Sequence, residues 1–152
     1  MIRRIGEIPI KGVKYTLRPG VYSILADGRD ILLTHQQEPE PEFQLPGGGI
    51  DPGETPVGAL HREVYEETGY RITLAKRLGA FRRFVFMPEY DLWAEKISHV
   101  YLARPALRIG PPAEVGHTAV WVDIEEAADM VANPGDQHFM RQYCQRFLRK
   151  RR

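Results

Sequence analysis

The stretch from Pro46 to Tyr70, PGGGIDPGETPVGALHREVYEETGY, contains the helix that is best marked in this chain. Thr55 is a favourable N-cap residue, and Pro56 suits the first helical position because its ring presets the backbone angle. Gly69 is typical of the residue that follows a helix, where a left-handed backbone is common. These signals predict a helix from about Pro56 to Thr68.

Two kinds of residue divide the faces of this predicted helix. At about 100° per residue, Val57, Leu60 and Val64 form an apolar stripe, and Glu63, Glu66 and Glu67 share a separate sector. The helix dipole disfavours carboxylates in the last turn, and like charges one turn apart repel, each by a few tenths of a kcal/mol. An acidic helix face is ordinarily just solvated. Here, however, the carboxylates are unfavourable both for the helix dipole and for one another, and such conflicts are expected mainly at functional sites.

A divalent cation would offset both unfavourable effects. Hard cations such as Mg²⁺ prefer carboxylate oxygens and commonly bridge protein carboxylates to substrate phosphates. Just before the helix, Gly47, Gly48 and Gly49 predict a turn in which the backbone approaches closely because no side chain intervenes. That turn would place a carbonyl or an amide beside the same ion or phosphate.

Residues Gly48 to Tyr70 resemble the Nudix box, G-x5-E-x7-R-E-U-x-E-E-x-G-U, in which U is a bulky apolar residue. Its fixed positions are occupied by Gly48, Glu54, Arg62, Glu63, Glu66, Glu67 and Gly69. With each residue type used at roughly 5 to 7%, a chance match at one register is on the order of 10⁻⁹. Tyr70, at a position that is more often aliphatic, is a mild departure, and its ring is still able to pack against a sheet.

The resemblance implies a Nudix fold, an α/β/α sandwich around a mixed β-sheet, and we expect one such domain over residues 1–152. It also implies that the metal ligands are Glu63, Glu66 and Glu67, with the Gly47 carbonyl as a further candidate. Arg62 and Glu54 would orient these carboxylates through ion pairing. The implied cofactor is Mg²⁺, with Mn²⁺ as a substitute.

The implied activity is hydrolysis of a pyrophosphate bond in a nucleoside diphosphate linked to another moiety. The second moiety stays open: a nucleotide sugar, ADP-ribose, a dinucleoside polyphosphate, a modified nucleoside triphosphate and a 5′-capped RNA all fit. The alternative is a non-catalytic Nudix domain that senses a nucleotide or serves as an interaction module. Such domains often lose acids of the box, whereas this chain keeps all of them.

Candidates outside the box carry less specific signals. Many Nudix enzymes supply another acid from a loop, for which Glu114 is the first choice here, and the rivals are Glu89, Asp91 and Glu95. Candidate substrate contacts are Arg82 and Arg83, together with Gly48 and Gly49, and further contacts are open for Arg18, His35 and His117. The aromatic residues Phe84, Phe86, Tyr90 and Trp93 would either stack on a base or fill the core.

The remaining chain predicts strands and two further helices. Asp27-Gly28 indicates a hairpin between two alternating runs, and strand-like runs occur at RITLAKRLGAFRRFVF, KISHVYLARP and TAVWVDI. The segment EPEPEFQLP is predicted to be a loop because of its prolines. After residue 124 we expect a short helix, a break at Asn133-Pro134-Gly135, and a second helix.

Composition limits the remaining classes of function. Lys and Arg number 21 against 20 Asp and Glu, so nothing global points to nucleic acid, and a short basic terminus is usually solvated. The single cysteine, Cys144, cannot form an internal disulfide and fits a reducing compartment. No apolar run approaches the length of a membrane span. We therefore expect a cytoplasmic protein that acts on a small nucleotide substrate, with a homodimer left open.

Overall fold

A computed structural model of the chain describes residues 2–113 and 116–151, apart from the side chain of Leu74. The strands of the described part are β1 (Arg3–Arg4), β2 (Thr16–Asp27), β3 (Asp30–Gln36), β4 (Glu42–Gln44), β5 (Gly47–Gly49), β6 (Tyr70–Met87), β7 (Leu92–Arg108) and β8 (His117–Asp123). The helices are α1 (Pro56–Thr68), α2 (Ile124–Met130) and α3 (Pro134–Lys150), with a 3-10 turn at Pro88–Tyr90.

The strands form one mixed sheet in the order β1-β6-β7-β2-β3-β4, and β5 and β8 pair with β2 and β3 respectively. β2 runs parallel to β7, and β1 runs parallel to β6, whereas the other pairs are antiparallel. The predicted mixed sheet is therefore confirmed. The predicted hairpin is confirmed as well, because Asp27 pairs with Asp30 across the turn and Gly28 adopts a φ of 59°.

The sheet is covered on both faces, as expected for an α/β/α sandwich. Alternate residues of β2 point to opposite sides, as strand geometry requires. One apolar cluster joins α1 to the sheet through Val21, Leu25, Leu60, Val64 and Tyr101. A second cluster joins α2 and α3 to the other face through Ile24, Phe81, Ile124, Phe139 and Met140.

Local signals placed α1 correctly. The Thr55 hydroxyl accepts a hydrogen bond from the Gly58 amide at 3.0 Å, and Gly69 follows the helix with a φ of 77°. The predicted apolar stripe is correct for Leu60 and Val64, which are fully buried, but wrong for Val57, which is 39% exposed. Val57 lies in the first turn, beyond the part of α1 that the sheet covers.

Three further predictions need correction. The glycines 47–49 form strand β5 rather than a turn, because their backbone pairs with β2. Strand β4 lies within the segment predicted as a loop and pairs with β3. The predicted short helix, break and second helix are confirmed, but the break covers residues 131–133, because Pro134 and Gly135 begin α3 and the Asn133 side chain caps it by accepting from the Gly135 amide at 2.8 Å.

Candidate active site

Arg62 is the centre of an acidic cluster on α1. Its guanidinium donates to both carboxylate oxygens of Glu54, each at 2.8 Å. The third nitrogen, Nη1, donates to Glu63 at 3.0 Å and to Glu66 at 3.3 Å, and Nη2 also donates to the Gly49 carbonyl at 3.1 Å. Glu54 first, and then Glu63, raise the pKa of Arg62. One permanently charged side chain thus binds three glutamates and the glycine strand together.

Glu54 anchors that arginine from the loop before α1. The hydrogen bonds from Arg62, and then the one from the Asp51 amide at 2.9 Å, lower the pKa of Glu54 to about 2. The bidentate geometry fixes the plane of the guanidinium as well as its position. Glu54 therefore stays ionised and orients Arg62 towards the glutamates of the helix.

Glu67 is held differently from the other glutamates. It is only 4% exposed, and one carboxylate oxygen accepts a hydrogen bond from the Gly47 amide at 2.7 Å. The other oxygen lies 3.5 Å from Nε2 of His117, at the start of β8. Gly47 contacts this acid through its amide, and the role of its carbonyl as a further metal ligand stays a prediction. Glu67 thus joins α1, β5 and β8 at one point.

Glu63 packs against the backbone of Gly48. Its side chain is 14% exposed, and a Cβ added to Gly48 would overlap the Glu63 carboxylate. A Cβ on the neighbouring Gly49 would meet nothing within 4 Å. Of these two residues only Gly48 therefore requires glycine, and the requirement arises from close approach rather than from backbone strain.

The protein itself supplies part of what compensates the acids at the end of α1. Arg62 offsets Glu54, Glu63 and Glu66, and the Gly47 amide offsets Glu67. Within residues 2–113 and 116–151, no three His, Cys, Asp or Glu side chains form a preassembled metal cluster. The donor chemistry nevertheless fits a hard divalent cation, since carboxylate oxygens on one helix face are the ligands such ions prefer.

A polar cavity of about 110 Å³ lies between the sheet and the start of α3. Its lining is Tyr22, Glu42, Gln44, Arg83, Lys96, Ala132, Asn133 and Asp136. Tyr22 is the β2 residue paired with Gly47, whose amide holds Glu67. Tyr22 therefore links the cavity, which its side chain lines, to the strand whose Gly47 amide holds Glu67.

Comparison with known proteins identifies the family. A model of the NUDIX domain matches residues 16–143, which is most of the chain. The chain belongs to the NUDIX domain family. Nudix hydrolases generally use divalent metal ions. The experimental structure of the MutT protein from Methanosarcina mazei Go1 superimposes with a TM-score of 0.65 at 22% identity, covering 93% of this chain and 99% of that one. This likeness bears on the fold, which it confirms.

Relatives of known name share part of this Nudix chain. A Bacillus subtilis (strain 168) protein whose name refers to 8-oxo-dGTP diphosphatase activity is 37% identical over 75 residues, 49% of this chain and 50% of that protein. Diphosphoinositol polyphosphate phosphohydrolase 2 of Rattus norvegicus is 42% identical over 52 residues, 34% of this chain and 29% of the relative. The chain spans half or less of the length of such curated relatives.

Outside the Nudix box, the structure separates the predicted candidates. Glu114 lies outside the described residues. Glu89 and Asp91 are exposed at the connection between β6 and β7. A carboxylate oxygen of Glu95 lies 3.6 Å from Nε of Arg82. Arg82 and Arg83 therefore differ, because Arg83 lines the polar cavity whereas Arg82 faces an acid on the neighbouring strand.

The aromatic candidates mostly contact one another. Phe84 packs edge-on against Tyr15 at 5.0 Å between ring centroids, and Trp93 contacts both Tyr15 and Phe86. The guanidinium of Arg18 lies over the Tyr90 ring at 4.6 Å, and His35 packs against Phe43.

Among the described residues, no helix is long and apolar enough to cross a membrane.

Sequence reasoning missed the residues of the polar cavity other than Arg83. Asp136 is 4% exposed, and burial raises its pKa to about 7 although Lys96 and Arg83 lower it. Since it comes from the first turn of α3 and the cations come from β6 and β7, no local pattern connects them. The one available signal was Asn133, which is a good helix cap.

Asp136 makes a testable contribution to the pH dependence of stability. The folded carboxyl keeps its proton up to about pH 7, whereas the unfolded one releases it near 3.8, so unfolding is increasingly favoured as pH rises between these values. At about 1.4 kcal/mol per pKa unit, the loss by pH 8 is on the order of 4 kcal/mol. We expect Asp136→Asn to abolish this decrease in the free energy of unfolding, measured by denaturant titration from pH 4 to 8.

The exposed Asp129→Asn serves as the matched control and should retain the wild-type pH dependence. If the free energy of unfolding of Asp136→Asn fell with pH as steeply as that of wild type, a group other than Asp136 would be responsible for the pH dependence.

Proposed function

We propose that this protein hydrolyses a pyrophosphate bond in a nucleoside diphosphate linked to another moiety. The observation that carries the proposal is the acidic cluster itself: Glu63, Glu66 and Glu67 lie on one helix face, tied by Arg62 and Gly47 to a strand made only of glycine. The relatives named for 8-oxo-dGTP and diphosphoinositol polyphosphate hydrolysis support the same reaction class.

In this proposal the three glutamates hold Mg²⁺, and Mn²⁺ substitutes for it. The bound ion supplies charge neutralisation of the pyrophosphate and lowers the pKa of a water. Arg62, fixed by Glu54, keeps Glu63 and Glu66 near each other before the ion arrives. Gly48 and Gly49 leave the backbone of β5 open for close approach of a phosphate. Glu114 stays our first choice for an additional acid outside the box.

We propose that the polar cavity receives the part of the substrate that lies beyond the phosphates. Arg83, Lys96, Asn133 and Gln44 offer several hydrogen-bond donors, and Glu42 and Asp136 add acceptors. Such a mixed lining suits the polar edge of a nucleobase better than it suits an acyl chain. The nucleotide names of several relatives support this choice of substrate class.

The test is turnover on a panel of substrates. The panel contains nucleotide sugars, ADP-ribose, dinucleoside polyphosphates, 8-oxo-dGTP and a 5′-capped RNA, each with Mg²⁺, with Mn²⁺ and with chelator. We expect metal-dependent release of a nucleoside monophosphate or pyrophosphate from at least one of them. Nucleotide binding without turnover under every condition would instead support the non-catalytic alternative.

Metal binding should also be visible without substrate. An ion that binds only the folded state stabilises it by about 2.7 kcal/mol at a concentration 100 times its Kd. We therefore expect Mg²⁺ or Mn²⁺ to raise the Tm above its value in chelator, and the rise to disappear in Glu63→Gln. Equal melting curves with metal and with chelator would contradict a metal site formed by the free protein.

A further inference from the structure

A groove separate from the candidate active site lies between α3 and the strands β6 and β7. It has a volume of about 240 Å³ and is lined by Lys76, Leu78, Leu102, Tyr143, Arg146, Phe147 and Lys150. Its apolar lining residues pack on the core cluster of α2 and α3, whereas the acidic cluster belongs to α1 on the other face of the sheet. No part of the proposed reaction uses this groove.

The rim of the groove is entirely cationic. Its ionisable lining groups other than Tyr143 are Lys76, Arg146 and Lys150, and its lining includes no carboxylate. In the part of the chain that the structure describes, these three cations form no ion pair. The helix dipole favours cations in the last turn of α3, but it does not account for Lys76, which β6 brings to the same place. The groove is therefore complementary to an anion.

The floor of the groove is apolar and partly aromatic. Leu78 and Leu102 come from neighbouring strands, and Tyr143 and Phe147 come from successive turns of α3 with ring centroids 6.3 Å apart. These four side chains are only partly buried by the core, and the guanidinium of Arg151 already covers one face of the Phe147 ring, 4.7 Å from its centroid. A ligand that fits both parts of the groove needs a flat apolar portion and an anionic portion close together.

We propose that this groove binds a mononucleotide, with its base against the aromatic floor and its phosphate among the three cations. Stacking of a base on an aromatic side chain and attraction of phosphate to clustered cations are the two interactions that such a lining offers. The volume is below the range of typical pockets for drug-sized ligands, so the groove would enclose part of a mononucleotide and leave the rest in solvent. The site would be additional to the one that the proposed function requires.

The experiment measures binding of AMP to the whole chain by calorimetry in chelator, so that metal-dependent turnover does not interfere. Lys76→Glu and Arg146→Glu reverse a rim charge from two different elements. Each is expected to weaken AMP binding at the groove by at least about tenfold, since reversing one close charge changes the interaction by a few kT. Arg149→Glu changes the same charge in the last turn of α3 but does not line the groove, and it should bind AMP like wild type.

Further ligands separate the two parts of the proposed contact. Adenosine and inorganic phosphate should each bind more weakly than AMP. Added salt should weaken the binding of AMP more than the binding of adenosine. The proposal is overturned if Arg149→Glu weakens binding as much as Arg146→Glu, or if Lys76→Glu has no effect. It is also overturned if a single-stranded RNA or an acidic peptide binds through these residues while AMP does not. Turnover on the substrate panel tests the proposed function independently, because neither rim residue belongs to the candidate active site.

Discussion

Replacement of Glu67 by Gln is expected to lower turnover at least ~10²-fold while the protein stays folded. A neutral amide is a poor ligand for a hard cation, and loss of one carboxylate weakens charge neutralisation in the transition state by several kcal/mol. Since about 1.4 kcal/mol is tenfold in rate, a hundredfold loss is a conservative expectation. The glutamine carbonyl is still able to accept the hydrogen bond from the Gly47 amide, so the link between α1 and β5 remains.

The free energy of unfolding, measured in chelator, shows whether Glu67→Gln loses turnover through the missing carboxylate or through unfolding. The substitution relieves repulsion at the end of α1 but replaces a charge-assisted hydrogen bond by a neutral one. These effects oppose each other, and we expect the free energy of unfolding to stay within about 1 kcal/mol of wild type. Glu126→Gln, on the exposed surface of α2, is the control for loss of one carboxylate. Near-normal turnover in Glu67→Gln, or a loss that merely follows unfolding, would contradict the assignment.

Gly48→Ala should be nearly as damaging to activity, for a steric reason. The new methyl group would occupy the space of the Glu63 carboxylate and force it away from its contact with Arg62. The obstructing atoms are the end of a flexible side chain, so the fold accommodates the change at small cost. We expect turnover to fall by about 10²-fold, the effect of losing one correctly placed charged group.

Gly49→Ala separates displacement of Glu63 from contact of the strand with phosphate, because its Cβ meets no protein atom within 4 Å. It changes the same residue type, in the same strand, to the same extent. Turnover is measured for both variants at saturating metal, and unfolding midpoints verify that both are folded. Equal losses of activity would show that the whole strand needs glycine, and that displacement of Glu63 is not the cause.

The acidic cluster was largely predictable because most of it lies within one helix and the loop before it. Helical periodicity alone places Glu63, Glu66 and Glu67 on one face, and the spacing to Glu54 follows from the short loop. The structure changed the interpretation of their charge. Arg62 is shared among Asp51, Glu54, Glu63 and Glu66, and the Gly47 amide holds Glu67, so the protein itself offsets part of this negative charge.

The sequence by itself determined α1, its caps and the order of its charged side chains, because these depend on residues within one or two turns of each other. Tertiary structure alone decided that residues 47–49 form a strand, since their hydrogen-bond partners lie in β2, far away in the chain. It likewise decided that Arg83, Lys96 and Asp136 surround one cavity and that Lys76 meets the last turns of α3. Such meetings depend on strand register and on which helix covers which face of the sheet, and a local pattern carries no information about either.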